Sequence, residues 1–297
     1  MGNELTKFFA CYGKQPSPAS SSSPQHLLSS SPSSSSSSQP SQKKDFGPRK
    51  LDGSFSALYA KRTPVVYYRA SLISLRPLAL LIPNFLKPHE CQALIELASP
   101  FLNPSRVCGE GLTSDRSSSS VFFTGPLRHH PAAINVQARL QSLVSSIAAT
   151  LGRNELRLTE ALQVVKYSEG ESYALHRDND TEKDNGILQR AATAIIYLNS
   201  TLSKNAGGQT HFPNASSFLK KTKNLETNGV KYLKSSSSEA SYYSGFSVQP
   251  RQGHVLLFWS ALPNGKEDLA ALHEAAPVLR GEKFIATHWF SEQPPIN

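Results

Sequence analysis

Apolar residues recur at helical spacing in two early stretches. Pro88 to Leu97 and Ala132 to Leu151 carry them three and four positions apart, with Leu140, Leu143, Ile147 and Leu151 on one stripe. Both stretches predict helices, and Pro88 suits a first helical turn because its φ is already fixed there. Downstream the period shortens. Gln163 to Tyr167, Tyr173 to Asp178, Ala192 to Leu198, Thr210 to Phe212 and Val255 to Trp259 read as short strands, with turn signals at Gly170 and Gly207-Gly208. Val278-Leu279 and Lys283-Phe284-Ile285, on either side of Gly281, predict a closing hairpin. Helices followed by many strands predict an α+β domain in which the helices cover one face of a β-sandwich.

The pattern fails at the start of the chain. Ser17 to Gln42 is almost entirely Ser, Pro and Gln, relieved only by Leu27-Leu28. Such a stretch cannot bury enough surface to offset the entropy of ordering. Residues 1–62 are therefore expected to be a disordered tail, and residues 63–297 one domain large enough for a sizeable core. Within that domain, residues 214–248 carry Lys220, Lys221, Lys223, Lys231 and Lys234 and a serine run, and read as a solvated surface loop.

The net charge of +9 invites a nucleic-acid reading. The tail, with eight Lys and Arg against three Asp and Glu, holds +5 of that total. The domain is only mildly basic and shows no finger, helix-turn-helix or RNA-binding aromatic motif, so no nucleic-acid partner is expected. Cys11, Cys91 and Cys108 are too few for a disulfide framework, which points to a reducing, cytoplasmic setting. No run is long enough to span a bilayer. The opening MGNELTK fits N-myristoylation at Gly2, with Cys11 and the basic tail as a second membrane signal. A Ser-rich, acid-poor transit peptide, leading to an organelle or the endoplasmic reticulum, is the alternative.

His176-Arg177-Asp178, His273 and Lys283 carry the chemistry. Residues i and i+2 of a strand share a face, so His176 and Asp178 can grip one ion while Arg177 points away. With His273 from another strand, two imidazoles and one carboxylate leave positions of the metal open, the arrangement of non-haem Fe(II) oxygenases. A cavity holding a dicarboxylate beside such a metal needs a fixed cation for the far carboxylate, and Lys283 is one.

Several segments share an order and spacing with one family. PNFLKPHECQALIELA, RSSSSVFF, GILQRAATAIIYLN and LHEAAPVLRGEKFIATHWF, together with the His176/Asp178 pair, resemble the catalytic domain of the prolyl 4-hydroxylases from about Leu75 to Gln293. That resemblance implies a double-stranded β-helix (jelly-roll) core. It implies Fe(II) held by His176, Asp178 and His273, and 2-oxoglutarate held by Lys283 with help from Tyr167 and Thr210. It also implies dioxygen as oxidant, ascorbate dependence, and a proline-containing peptide hydroxylated at C4 with release of succinate and carbon dioxide. The walls of the substrate cleft are expected around Arg116 to Phe123 and the loops near Gly207; Tyr173 either lines the pocket or packs, and Trp259 is expected in packing. Arg177, Asn179 and His288 depart from the family pattern. A related dioxygenase acting on another residue, a small molecule or a nucleic-acid base, and a silent jelly-roll binding module, are the alternatives.

Overall fold

The computed structural model describes residues 6–12, 65–106, 114–178, 190–201, 205–217, 229–234 and 243–292. In chain order the elements are β1 (Thr6–Tyr12), β2 (Val65–Leu75), β3 (Leu78–Ile82), α1 (Pro88–Ala98), β4 (Asn103–Pro104), β5 (Ser119–Phe122), the short α2 (Gly125–Arg128), α3 (Pro131–Thr150), β6 (Leu156–Leu158), β7 (Gln163–Tyr167), β8 (Tyr173–His176), β9 (Ala192–Tyr197), β10 (Thr210–Ser217), β11 (Val230–Lys234), β12 (Tyr243–Val248), β13 (Val255–Trp259), β14 (His273–Ala275) and β15 (Lys283–Glu292). They form two antiparallel sheets. The larger runs β1-β2-β3-β13-β9-β15-β7-β5-β4, with β6 also on β15, and the smaller runs β11-β12-β10-β14-β8.

Strict alternation on the central strands gives the large sheet two apolar faces. Val164, Ala192, Ala194, Ile196, Leu257, Trp259, Phe284, Ala286 and Phe290 pack with Leu94 of α1 and Leu140, Leu143 and Ile147 of α3. Their immediate neighbours, among them Val165, Tyr167, Ile195, Tyr197, Phe258 and Ile285, meet Phe212, Phe246, Val248 and Ala275 of the small sheet. Each fully buried Leu, Ile or Phe contributes roughly 1.5–3 kcal/mol, so both faces are firmly seated. The result is the expected jelly roll with helices on one side. Trp259 belongs to the helix-side core, as its packing role required. Arg139 of α3 pairs with Glu90 of α1 and donates to the Phe85 carbonyl at 2.9 Å, tying the two helices together.

Four sequence expectations need correction. Thr6–Tyr12, expected within a disordered tail, pairs antiparallel with Val65–Ser71 as an edge strand; the rest of 1–62, including Gly2, lies outside the described residues. Residues 214–248, expected as a surface loop, supply the end of β10 and all of β11 and β12, with Phe246 and Val248 buried; residues 218–228 and 235–242 lie outside the described residues. The strand expected over Tyr173 to Asp178 ends at His176, and Asp178 sits in a bend. The closing hairpin does not form: β14 joins the small sheet and β15 the large one, so the chain crosses between layers. Val278 instead bridges Gly207. Gly207 is required there, since its φ is +73° and an added Cβ would lie 2.1 Å from the Pro277 carbonyl oxygen.

Candidate metal and co-substrate site

A cavity of about 770 Å³ opens between the sheets. The pocket-facing alternates of β7, β9 and β15 line it: Gln163, Val165 and Tyr167; Thr193 and Ile195; Lys283, Ile285, Thr287 and Trp289. The small sheet contributes Tyr173, His176, Thr210 and His273. The crossing between layers has a direct consequence. It places His273, at the start of β14, and Lys283, at the start of β15, on opposite walls of one cavity.

Antiparallel pairing sets His176 and His273 directly across from one another. The His176 Nε2 lies 3.7 Å from Asp178 Oδ1, and the His273 Nε2 lies 4.0 Å from Asp178 Oδ2. Among the described residues these three side chains form a group whose ligating atoms all fall within 4.8 Å. Each imidazole has a defined tautomer. His176 Nδ1 donates to the Ala174 carbonyl at 2.8 Å and His273 Nδ1 to the Ala271 carbonyl at 3.0 Å, leaving both Nε2 lone pairs facing Asp178. The rings are wedged in place. Tyr173 stacks on His176 at 3.6 Å between centroids, under the Arg116 guanidinium, and Phe212 and Phe258 hold His273 from two sides.

Burial, reinforced by the neighbouring His273, pushes the His176 pKa down to about 3, so the ring is neutral and free to ligate. Burial alone would raise the Asp178 carboxyl, but the two imidazoles and the Thr193 hydroxyl outweigh it and hold it below the usual carboxylate range. Two imidazoles and one carboxylate form an open three-donor set. That set fits ferrous iron better than a structural zinc ion, which would take four protein ligands.

Across the cavity Lys283 is 1% exposed, and its Nζ has no hydrogen-bond partner among the described residues. It lies over the Tyr167 ring at 4.9 Å. Burial depresses its pKa to about 7. A buried ammonium without an acceptor is costly, and an anionic group bound in the cavity would offset that cost. Tyr167 is buried beside it, its phenol pushed up to about 12 by desolvation. Thr210 is also buried, and its hydroxyl bonds to the Tyr197 hydroxyl at 2.8 Å.

Residues 162–291 match the model of the 2OG-Fe(II) oxygenase superfamily. Over 230 residues the chain is 31% identical to probable prolyl 4-hydroxylase 9 of Arabidopsis thaliana, covering 75% of this chain and 71% of that one. Prolyl 4-hydroxylase 1 of the same plant is 32% identical over 232 residues, covering 76% and 72%. The chain belongs to the prolyl 4-hydroxylase family. A solved viral collagen prolyl hydroxylase from Paramecium Bursaria Chlorella virus-1, in complex with 2OG, superimposes on this prolyl 4-hydroxylase family member with a TM-score of 0.51. The two are 25% identical, with 72% of this chain and 96% of that chain covered.

The structure brings together all six residues singled out from sequence: His176, Asp178, His273, Lys283, Tyr167 and Thr210 all line the cavity. Sequence reasoning missed others. Thr193 donates to Asp178 Oδ2 at 2.6 Å. Arg190 lies 4.0 Å from the centre of the Trp289 ring, pairs with Glu160 and donates to the Asp178 carbonyl at 3.3 Å. The one available signal for Thr193 was a threonine set among the alanines and isoleucines of β9.

Proposed function

We propose that this chain hydroxylates proline at C4 within peptides, with His176, Asp178 and His273 holding Fe(II) and Lys283 holding the distal carboxylate of 2-oxoglutarate. Bound iron supplies the oxidising chemistry, in which dioxygen and 2-oxoglutarate yield succinate, carbon dioxide and one oxygen atom for the substrate carbon. The protein's own groups bind and orient. The two backbone carbonyls fix the imidazole tautomers, Lys283 anchors the co-substrate at the far wall with Tyr167 and Thr210 beside it, and the interlocked sheets exclude water from the interior. The substrate peptide enters past Arg116, Phe122 and Tyr173, which line the cavity and are themselves partly exposed. Ascorbate keeps the metal ferrous between turnovers.

One observation carries the reading: a buried, unpartnered ammonium faces an open His/Asp/His donor set in a member of the prolyl 4-hydroxylase family. The test is incubation with proline-containing peptides, Fe(II), 2-oxoglutarate and ascorbate, followed by mass spectrometry and succinate assay. Added oxygen on proline together with succinate is expected. Oxygen found only on another residue, or no succinate at all, would replace the reading by a different oxygenase or by a binding module. The proposal extends to a cytoplasmic protein held at membranes through acylated Gly2; an unmodified N-terminal peptide from cells would remove that part.

A further inference from the structure

Three neighbouring positions on the large sheet form a row beneath the triad. Thr193 of β9 is the register partner of Phe258 on β13 and of Trp289 on β15. Each member of the row touches the site differently. Phe258 meets the His273 ring edge-on at 4.9 Å between centroids. Trp289 backs the Arg190 guanidinium, which donates to the Asp178 carbonyl. Thr193, 1% exposed, donates its hydroxyl to Asp178 Oδ2 at 2.6 Å. The support matters because Asp178 lies beyond the end of β8, in a bend, without strand pairing to aim it.

We propose that Thr193 is a positioning residue that reserves Oδ2 of Asp178, so that the carboxylate serves as a one-oxygen ligand and the metal keeps its open positions. The inference rests on the metal reading above and deepens it. A carboxylate free to rotate can present both oxygens to a cation, and a second bound oxygen would occupy a position that a co-substrate needs. A short hydroxyl bond to one oxygen opposes that rotation. A serine hydroxyl can make the same bond, whereas an isosteric valine fills the same space without it. The bland alternative is a buried hydroxyl that merely found an acceptor, in which case its loss would leave metal binding alone.

The test is titration of the full chain with Mn(II) and Co(II), both stable to air at neutral pH. Calorimetry reads affinity, and the visible absorption of bound Co(II) reads coordination number. Thermal unfolding of the metal-free proteins checks that the variants fold. Thr193→Val is expected to bind both metals about 10- to 100-fold more weakly, the usual effect of losing a partner behind a ligand, and to alter the Co(II) absorption. Thr193→Ser is expected to restore most of the affinity and the wild-type spectrum. Wild-type affinity and spectrum in Thr193→Val would overturn the inference, and so would a Thr193→Ser variant as weak as Thr193→Val. Should Thr193→Val not fold, Thr193→Ser against Thr193→Ala gives the same comparison. A wild-type chain that takes up neither metal removes the metal reading itself, and this inference with it.

Discussion

Lys283 shows how a single side chain can be a burden to the empty protein and an asset to the loaded one. Its pKa falls from 10.5 to about 7 because burial disfavours the charged form. A depressed lysine pKa means that the unfolded chain binds more protons between about pH 7 and 10.5, so this group makes the co-substrate-free protein more stable as pH rises through that window. Lys283→Met removes the unpaired charge and keeps most of the volume. We expect it to stabilise the free protein at pH 7 by about 1–3 kcal/mol while 2-oxoglutarate binding is lost; denaturation and calorimetry check the two effects. In the wild type only the ammonium form attracts the distal carboxylate. The 2-oxoglutarate affinity measured with Mn(II) should therefore fall as pH rises above about 7, approaching tenfold per unit.

His288 provides an independent pH test away from the site. It is fully buried against α3, bonded among the described residues through Nε2 alone, to Gln137 at 3.2 Å, and burial lowers its pKa from 6.5 to about 4. The unfolded chain takes up the proton first, so stability is lost as pH falls from about 6.5 towards 4. The linkage amounts to on the order of 2 kcal/mol at pH 5. His288→Leu should remove that part of the acid sensitivity, seen as a smaller difference between urea midpoints at pH 7 and pH 5 than in the wild type. At this scale the sequence was informative where chemistry is rare. Two imidazoles, a carboxylate and a lysine in order pointed to the site, whereas Thr193 and Arg190 look like ordinary strand and loop residues until the register places them behind Asp178.

Elements were legible where the apolar spacing is regular, as a stripe on a helix or a short unbroken run on a buried strand. α1 and α3 have clear stripes and fell within a residue or so of their expected ends, and β7 and β13 matched their expected bounds. The missed hairpin has a plain cause: the sequence does not state which sheet a strand joins. A glycine turn at 281 is compatible with a hairpin, and only tertiary packing decides that β14 and β15 part company. β11 (VKYLK) and β12 (YSGFSV) carry apolar residues at strand spacing, but the lysines and the serine run in the same segment made it read as loop. The approach to β14 is an element-level device of the same kind. Asp268, 3% exposed, accepts from Ala270 N at 3.1 Å, capping the single 3-10 turn Leu269–Ala271, and pairs with Arg76 at 3.1 Å. That turn delivers both Leu272 and His273, and its Ala271 carbonyl fixes the His273 tautomer. Asp268→Ala should cost about 1–2 kcal/mol and weaken metal binding, whereas Asp268→Asn, which retains a capping oxygen, should lose less of both. Parallel thermal unfolding and Mn(II) titration measure the pair.

For the molecule as a whole, the large-sheet wall of the site lies on β7, β9 and β15 in the middle of that sheet, while the sheet ends at β1. β1 is separated from its partner by residues 13–64, yet it covers the open edge of β2. An uncovered edge presents free backbone donors and acceptors to other chains. Tyr67, 66% exposed on β2, would add an apolar contact for such a chain. A chain lacking residues 1–12 should therefore self-associate, while one lacking only residues 1–5 should not; light scattering on purified proteins at matched concentrations distinguishes them. Three strands, β3, β13 and β9, separate β2 from β15 along the sheet path. The dispersed fraction of the shorter chain should accordingly bind Mn(II) and 2-oxoglutarate as the full chain does. A loss of binding without association would mean that β1 acts through the sheet on the site. Association with binding intact would mean that the first strand guards the domain's edge and leaves its chemistry alone.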